Sequence, residues 1–400
     1  MMQKKQAIKQ NAKNIMLAHS KAKVDFYQAY LTRYLSIMSV SKYFNTINIF
    51  DVFCGRGEYE DGGIGSPIRA IQTIMDIKQA RPYDSLCINL FLNDAEKEYI
   101  ERVRQYVEEH LPDHKLYCNV HYYNCKANEL FVKICKFVSQ TNANARNFIF
   151  VDPYGYKDIN RNTLVNMMSN GKTEILLFLP ISFMHRFRSY AFHTDANKGA
   201  QRLKEFISEF FPPTHPVCLE EEMDVLEYID ALTEAFSFNN QYYTTNYFIE
   251  RDAHNYFALF FIGNNLLGLQ KAVETKWALD AEFGRGFRQS EKQNTQTRLF
   301  DEWFEKENEN KLLNALKDKL LGYLSSKERS NAELYEYILR IGYTPTHANN
   351  VLRDLQINDR ICVNRCDNKN VRRGCFYLSY QDAKDKSLPK AIIKLKHEDY

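Results

Sequence analysis

An acidic residue, a proline and a tyrosine stand together where an apolar segment ends, in NFIFVDPYG. The Asp152 carboxylate and the Pro153 carbonyl are two hydrogen-bond acceptors at adjacent positions. They could hold the hydrogens of an exocyclic amine, whose lone pair is delocalised into its ring, and so let that lone pair localise on nitrogen. Tyr154 could then stack on the base that carries the amine. A purely structural Asp-Pro turn is the alternative.

A glycine turn, DVFCGRG, ends an earlier apolar segment. Gly55 and Gly57 permit turn conformations and a close approach of a ligand to the backbone. The spacing lacks the third glycine of the dinucleotide-binding pattern G-x-G-x-x-G, so a phosphate ligand is not favoured. In methyltransferases a turn of this kind holds the amino-acid end of S-adenosylmethionine, whose ammonium and sulfonium groups favour carboxylates. Asp51 and Phe53 are suitably placed, and a glycine turn without a ligand is the alternative.

Polar residues follow two further apolar segments. Asp94 ends LCINLFLND, where a carboxylate can accept hydrogen bonds from both hydroxyls of a ribose. The alternative role of Asp94 is that of a helix N-cap before AEKEYI, although Asn93 could take that cap. Asn124 could hydrogen-bond the edge of an adenine and Cys125 could contact its ring, or the asparagine could belong to a turn alone. These residues complete a predicted binding site for S-adenosylmethionine.

The segments that carry these residues alternate between two patterns. Apolar runs typical of buried strands alternate with amphipathic helical segments, and a helix is predicted over residues 21–44, before the first strand. This alternation indicates an α/β fold with a parallel sheet that helices cover on both faces. In such sheets ligands bind outside the carboxyl ends of the strands. We therefore expect the glycine turn and the Asp-Pro-Tyr element at one rim.

The C-terminal part has a different pattern and more positive charge. Residues 311–400 contain 17 Lys and Arg against 11 Asp and Glu, whereas the whole chain has a net charge of +3. Three helical segments followed by RICVNRCDNKNVRRGCFYLSY, interpreted as two strands joined by a basic tip, predict a winged helix. Winged helices bind nucleic acid, and some dock proteins instead. The predicted nucleic-acid contacts are His347, Asn350, Arg353, Lys369, Arg372 and Arg373.

Two arginines outside the winged helix, Arg186 and Arg288, also suit recognition of phosphate, unless they are solvated loop charges.

No run of 18 apolar residues predicts a membrane span, and the polar start lacks a secretory signal, so a cytoplasmic protein is expected. Nine cysteines, an odd number, favour reduced thiols. The spacings of Cys362, Cys366 and Cys375 do not fit a four-ligand zinc site, so no metal is predicted.

Over roughly residues 20–300 the chain resembles the bacterial three-Cys-motif partner family. The matching segments are DVFCGRGEYEDGGIGSP, FIFVDPYG, and YFALFFIG followed by a helix ending in ETKWALD. Cys54 stands where relatives commonly have alanine. The resemblance implies a Rossmann-like methyltransferase domain, S-adenosylmethionine as cofactor, a C-terminal winged helix, and a companion with a three-cysteine motif similar to radical S-adenosylmethionine enzymes, often phage-linked. Asp152-Pro153-Tyr154-Gly155 is also similar to the D-P-F/Y-G form of tRNA guanine dimethyltransferases.

These features predict five segments and a leading function. The segments are a polar N-terminus (1–20), a Rossmann-like methyltransferase domain (21–303), a linker (304–311), a winged helix (312–382) and a C-terminal tail (383–400). The leading hypothesis is a methyltransferase that uses S-adenosylmethionine to modify an exocyclic amine of a nucleic acid base. The alternative is a non-catalytic or regulatory partner of a three-Cys-motif enzyme in a phage-linked or defence system. A metal-dependent nuclease ranks last, because no compact acidic cluster has metal-ligand spacing.

Overall fold

The computed structural model describes residues 15–81, 85–192, 198–280, 284–288, 301–367 and 372–396, with the backbone alone at 198 and 301–311. The chain forms two compact units. The first comprises Met1–Asn264 with Gly286–Gln293, and the second comprises Asn265–Arg285 with Asn294–Tyr400. The segment Asn265–Arg285 therefore belongs with the second unit, whereas the sequence analysis assigned everything up to residue 303 to the first domain.

An eight-stranded sheet forms the centre of the first unit, in the order β3-β2-β1-β4-β5-β7-β6-β8. Strands β1 to β5 are parallel, β7 runs antiparallel between β5 and β6, and β8 pairs parallel with β6. The strands are β1 Thr46–Asp51, β2 Cys87–Asn93, β3 Asn119–Tyr123, β4 Ala145–Val151, β5 Thr173–Pro180, β6 Tyr243–Asp252, β7 Asn255–Gly263 and β8 Gly286–Arg288.

Helices cover both faces of this sheet. On β4, Phe148 and Phe150 contact Tyr27 of the first helix, whereas Ile149 and Val151 point the other way into a separate core cluster. The predicted α/β class with a mostly parallel sheet is confirmed. The described helices of this unit are α1 Ala18–Met38, α2 Ser66–Ala80, α3 Lys97–His110, α4 Ala127–Ser139, α5 Arg161–Met168, α6 Ile181–Phe187, α7 Lys198–Phe210, α8 Pro216–Leu219 and α9 Val225–Ala235, with 3-10 turns at Pro112–Leu116, Tyr156–Asp158 and Tyr190–Phe192.

The direction of the strand order changes between β1 and β4. From β1 the chain adds β2 and β3 on one side, and then returns to add β4 and β5 on the other side. Such a switch point leaves a crevice outside the carboxyl ends of the two central strands, where ligands of open α/β sheets bind. Asp51 and Val151 are the last residues of these strands. The glycine turn and Asp152 therefore begin at the same crevice.

The second unit contains a winged helix. Its described elements are α10 Leu266–Leu279, α11 Asp301–Ser325, β9 Arg329–Ser330, α12 Asn331–Arg340, α13 Pro345–Ile357, β10 Ile361–Arg365, α14 Tyr380–Ala383 and β11 Ala391–Leu395. The three strands pair antiparallel in the order β10-β11-β9. Ser330 and Glu333 form a capping box at the start of α12, and Thr344 and His347 form one at the start of α13. These caps explain why two short helices begin at defined residues.

The wing differs from the sequence prediction. The strand that pairs with β10 is Ala391–Leu395, inside the predicted tail, and the GCFYLSY segment contains no strand among its described residues. Tyr377 has a φ of +55°, which interrupts an extended chain. Ala391 and Ile393 alternate with more exposed residues and are fully buried, as a half-buried strand requires. The predicted second wing strand before residue 382 is therefore wrong, and the strand that pairs with β10 lies after that residue.

Candidate functional site

The glycine turn joins β1 to α2 through two left-handed residues. Gly55 has a φ of +64° and Gly57 a φ of +80°. A Cβ atom at Gly57 would lie 2.9 Å from Val103 Cγ2, so this position is closed to side chains. The Gly57 carbonyl also accepts a hydrogen bond of 2.6 Å from the Gly65 amide, which fixes the turn against the start of α2. At Gly55, by contrast, a Cβ atom would meet no atom within 4 Å, and the turn borders open space there.

Asp51 places a buried carboxyl group beneath this turn. Its Oδ2 atom accepts a 2.6 Å hydrogen bond from the Ser66 hydroxyl, but its Oδ1 atom is buried and has no partner. Burial raises the pKa of Asp51 to about 7, against the opposing effect of the Ser66 hydrogen bond. A buried acceptor without a partner costs free energy. A cationic ligand group that donated to Oδ1 would remove that cost.

Asp94 and Asn124 are tied to the same turn by hydrogen bonds within the chain. Asp94 Oδ2 accepts from the Gly55 amide at 3.0 Å, and Asp94 Oδ1 accepts from the Glu96 amide at 2.9 Å. The Asn124 amide donates to the carbonyl of Asp94 at 2.9 Å. Helix α3 has Glu96 at its N-cap position, so neither Asp94 nor Asn93 is the cap. Asn93, one candidate for that cap, instead donates its side-chain amide to the Val52 and Cys125 carbonyls and so joins two strand ends.

Asp152 has a partner that the sequence analysis missed. Lys23, on α1, donates a 2.5 Å hydrogen bond to Asp152 Oδ2, and its ammonium lies 4.8 Å from the centre of the Phe178 ring. Both side chains are largely buried, with 14% and 18% exposed. Burial lowers the pKa of Lys23 but the Asp152 carboxylate raises it, and the net pKa lies above its ordinary value. Lys23 therefore stays protonated beside Asp152.

A sequence signal for Lys23 existed. Lys23, Tyr27, Tyr30 and Tyr34 follow the spacing of one helix face, and the three tyrosines are buried. A lysine within such an apolar stripe needs an anionic partner in the interior. The sequence could not reveal which carboxylate supplies it, because Asp152 lies 129 residues away along the chain.

One cavity of about 310 Å³ connects these elements. Its lining includes Lys23 from α1, Phe53, Gly55 and Gly57 from the glycine turn, and Asp152, Pro153 and Tyr154 from the end of β4. Ser66, whose hydroxyl donates to Asp51, lines it as well, whereas Asp51, Asp94, Asn124 and Cys125 do not. The predicted site residues therefore divide into a group around the cavity and a group behind the turn.

A stack of aromatic rings forms another wall of the cavity. His19 lies parallel to Phe257, with ring centres 4.9 Å apart, and Phe257 lies parallel to Phe178 at 5.3 Å. His19 Nδ1 is buried without a partner, and burial together with Arg251 lowers the pKa of His19 to about 4. The imidazole is therefore neutral at physiological pH. These rings give the cavity a flat, apolar wall, and the sequence analysis did not identify them.

The predicted nucleic-acid contacts lie elsewhere, in both units. Arg186 is exposed on α6, and Arg288 lies in β8 at an edge of the sheet. In the winged helix, Asn350 and Arg353 are exposed on α13, as are Arg372 and Arg373 in the wing. His347 packs its ring 4.3 Å from that of Trp277 and completes the cap of α13. Lys369 lies outside the described residues.

Among the described residues, no group of three or more His, Cys, Asp or Glu side chains could hold a metal ion. Nor do the described residues include a helix that is both long and apolar enough to span a bilayer.

Comparisons with known proteins agree with parts of this description. Residues 286–368 match the family model of the GMT-like wHTH domain, which confirms the predicted winged helix. Among solved structures, the chain is similar to a geranyl diphosphate methyltransferase in complex with GPP and sinefungin, at 11% identity over 58% of this chain and 77% of that one, with a TM-score of 0.27. That similarity is too weak to support an argument about activity. No curated protein matches the chain.

Proposed function

We propose that this protein is a methyltransferase that uses S-adenosylmethionine to modify an exocyclic amine of a nucleic acid base. The observation that carries the proposal is the shared cavity, because the glycine turn and Asp152-Pro153-Tyr154 both line it. Its volume of about 310 Å³ suits a small ligand. The two sequence elements, each of which suggested methyl transfer by itself, thus border the same cavity.

The residues around the turn fit the proposed cofactor. Asp51 Oδ1 is a buried acceptor that lacks a donor, and the space beside Gly55 is open to a ligand. S-Adenosylmethionine carries an ammonium group that can donate to such a carboxylate, and it supplies an electrophilic methyl group when bound. The residues proposed to hold it are Phe53, Gly55 and Gly57, which line the cavity, and Asp51, Asp94, Asn124 and Cys125, which do not line it.

Asp152, Pro153 and Tyr154 would orient the amine. The Lys23 ammonium donates to Asp152 Oδ2 and so fixes the position of this carboxyl group. A carboxylate oxygen pair has about four acceptor sites, so Asp152 can still accept a hydrogen from an amine. Tyr154 is 87% exposed, which leaves its ring free to stack on a base. Lys23 acts here as a positioning residue.

We propose that polar and basic residues of both units hold the nucleic acid. Asn350, Arg353, Arg372 and Arg373 would contact it in the winged helix, with His347 supporting the start of α13, and Arg186 and Arg288 would contact it in the first unit. A three-Cys-motif protein remains the proposed protein partner, on the resemblance of the motif segments.

Two glycines give a matched test of cofactor binding. Gly55 and Gly171 have φ angles of +64° and +67°, and a Cβ atom at either would meet nothing within 4 Å. Gly171 precedes β5, at the amino edge of the sheet. In isothermal titration with S-adenosylhomocysteine, Gly55→Asp should lose binding, because a carboxylate enters the cofactor space, and Gly171→Asp should bind like the wild type. A wild-type protein that binds no S-adenosylhomocysteine would refute the proposal.

Methyl transfer needs its own assay. Labelled S-adenosylmethionine should transfer its methyl group to DNA or RNA, and Asp152→Asn should reduce the rate by roughly 10² to 10⁴ while S-adenosylhomocysteine still binds. Unchanged transfer by Asp152→Asn would contradict the role of this carboxylate. Cofactor binding by the wild type without transfer to any nucleic acid would favour the alternative function, a non-catalytic partner of a three-Cys-motif enzyme.

A further inference from the structure

Four aromatic side chains are exposed on the segments that follow β4 and β5. Tyr154 is 87% exposed, Phe183 46%, Phe187 37% and Tyr190 38%, and we name this set the aromatic strip. Exposed aromatic side chains are common singly, but a group of them at the edge of a cavity marks a binding surface. The strip lies on the carboxyl side of β4 and β5, because Tyr154 follows β4 and α6 follows β5.

The strip reaches the cavity at Tyr154, and ring packing joins Phe183 and Phe187 on α6. Tyr154 lines the cavity, and two residues later the buried Tyr156 lies parallel to Phe183, with ring centres 6.3 Å apart and an angle of 13°. Phe183 and Phe187, four residues apart on α6, have ring centres 4.8 Å apart. The strip therefore extends from the proposed amine-binding element onto α6.

Positive charges adjoin the strip. Arg186 is exposed between Phe183 and Phe187 in sequence, Lys157 is exposed next to Tyr156, and Arg202 on α7 interacts electrostatically with Tyr156. The acidic run 220–222 lies on another side of α6, since Arg188, which is buried, donates to the carbonyls of residues 220 and 221. Aromatic rings flanked by cations are what proteins use to bind single strands, by stacking and by contact with phosphates.

We infer that the aromatic strip binds the unpaired bases next to the target base, so that the substrate is single-stranded nucleic acid or a locally opened strand. The inference rests on the proposed function, because the target base would enter the cavity that Tyr154 lines. The strip contains aromatic rings rather than aliphatic side chains, and flat rings flanked by cations suit bases and phosphates better than an apolar protein surface.

The test uses the full chain and a single-stranded oligonucleotide that contains 2-aminopurine, whose fluorescence falls on stacking. The double variant Phe183→Ala/Phe187→Ala should bind the oligonucleotide at least roughly tenfold more weakly than the wild type and lose the quenching. Tyr43→Ala is the matched control. Tyr43 is 81% exposed and precedes β1, at the amino edge of the sheet, so this variant should bind like the wild type.

Titration with S-adenosylhomocysteine separates this inference from the proposed function. All variants should bind S-adenosylhomocysteine normally, which also shows that they are folded. Normal S-adenosylhomocysteine binding combined with equal oligonucleotide binding by the wild type and the double variant overturns the inference alone. Strip-dependent oligonucleotide binding without any S-adenosylhomocysteine binding overturns the proposed function alone. A strip that captures only a protein partner, with no affinity for oligonucleotide, also overturns the inference.

Discussion

Two buried carboxyl groups at opposite edges of the sheet titrate alike but differ in their contacts. Asp51 ends β1 at the carboxyl edge, and Glu174 lies near the start of β5 at the amino edge. Burial raises the pKa of each to about 7. Glu174 accepts a 2.6 Å hydrogen bond from the Tyr30 hydroxyl within a group of packed aromatic rings, whereas Asp51 keeps one oxygen without a donor.

The difference shows which property marks a binding site. Desolvation raises the pKa of any buried carboxyl group, so a raised pKa is found at structural and functional positions alike. A carboxyl oxygen that lacks a hydrogen-bond donor and lies close to the lining of a cavity is a more specific sign of a binding site, because a ligand could supply the missing hydrogen bond. Asp51 meets this condition through Ser66, which lines the cavity.

Removing the charge from each carboxyl group should give the largest difference between the two positions, measured as affinity for S-adenosylhomocysteine. Asp51→Asn should weaken the binding of S-adenosylhomocysteine by roughly 10- to 100-fold, the typical value of a hydrogen bond to a charged group. Glu174→Gln should leave the affinity unchanged, because it lies at the other edge. Isothermal titration measures both, and equal losses in the two variants would show that the affinity depends on fold stability rather than on the site.

The pH dependence of cofactor binding should sharpen the same contrast. With the pKa of Asp51 at about 7, protons compete with the ammonium of the ligand below that pH. Affinity for S-adenosylhomocysteine should therefore rise from pH 5.5 to 7, by at most about tenfold per unit, and level off above it. Glu174→Gln should retain this profile and Asp51→Asn should lose it; a flat wild-type profile would contradict the assignment.

Stability should change with the same sign for both residues. Each carboxyl group binds a proton in the folded state at pH values where the unfolded chain has lost it, so the free energy of unfolding should fall as pH rises from about 4 to 7. At pH 8, Asp51→Asn and Glu174→Gln should each raise it by roughly 1 to 3 kcal/mol. Urea unfolding at pH 5 and pH 8 tests this, and variants less stable than the wild type at pH 8 would speak against it.

Local patterns in the sequence predicted most of the fold. Apolar runs alternating with amphipathic helices predicted a mostly parallel sheet, and this is what β1 to β5 form. Because both elements follow apolar strand segments, the sequence predicted that the glycine turn and Asp152 lie at the same edge of the sheet. Capping residues likewise begin α12 and α13 as their sequences suggest.

Contacts between distant segments could not be predicted. Lys23 was expected only as part of a helix, yet its ammonium holds the Asp152 carboxylate. The second wing strand, β11, comes from the predicted tail, where Asn331 accepts hydrogen bonds from the Lys390 and Ala391 amides. Strand pairing and ion pairing depend on the whole chain, so several segments of similar pattern compete for the same partner.

The sequence by itself determined the types of the elements and the chemistry at the ends of β1 and β4, because side-chain periodicity and glycine conformations are properties of a few neighbouring residues. The tertiary structure alone decided which groups share the cavity. It left Asp51 Oδ1 without a donor, gave Asp152 a lysine partner, and placed His19, Phe257 and Phe178 in one stack. These outcomes depend on the packing of α1 against the sheet and on the pairing of β7 with β5, which no local pattern encodes.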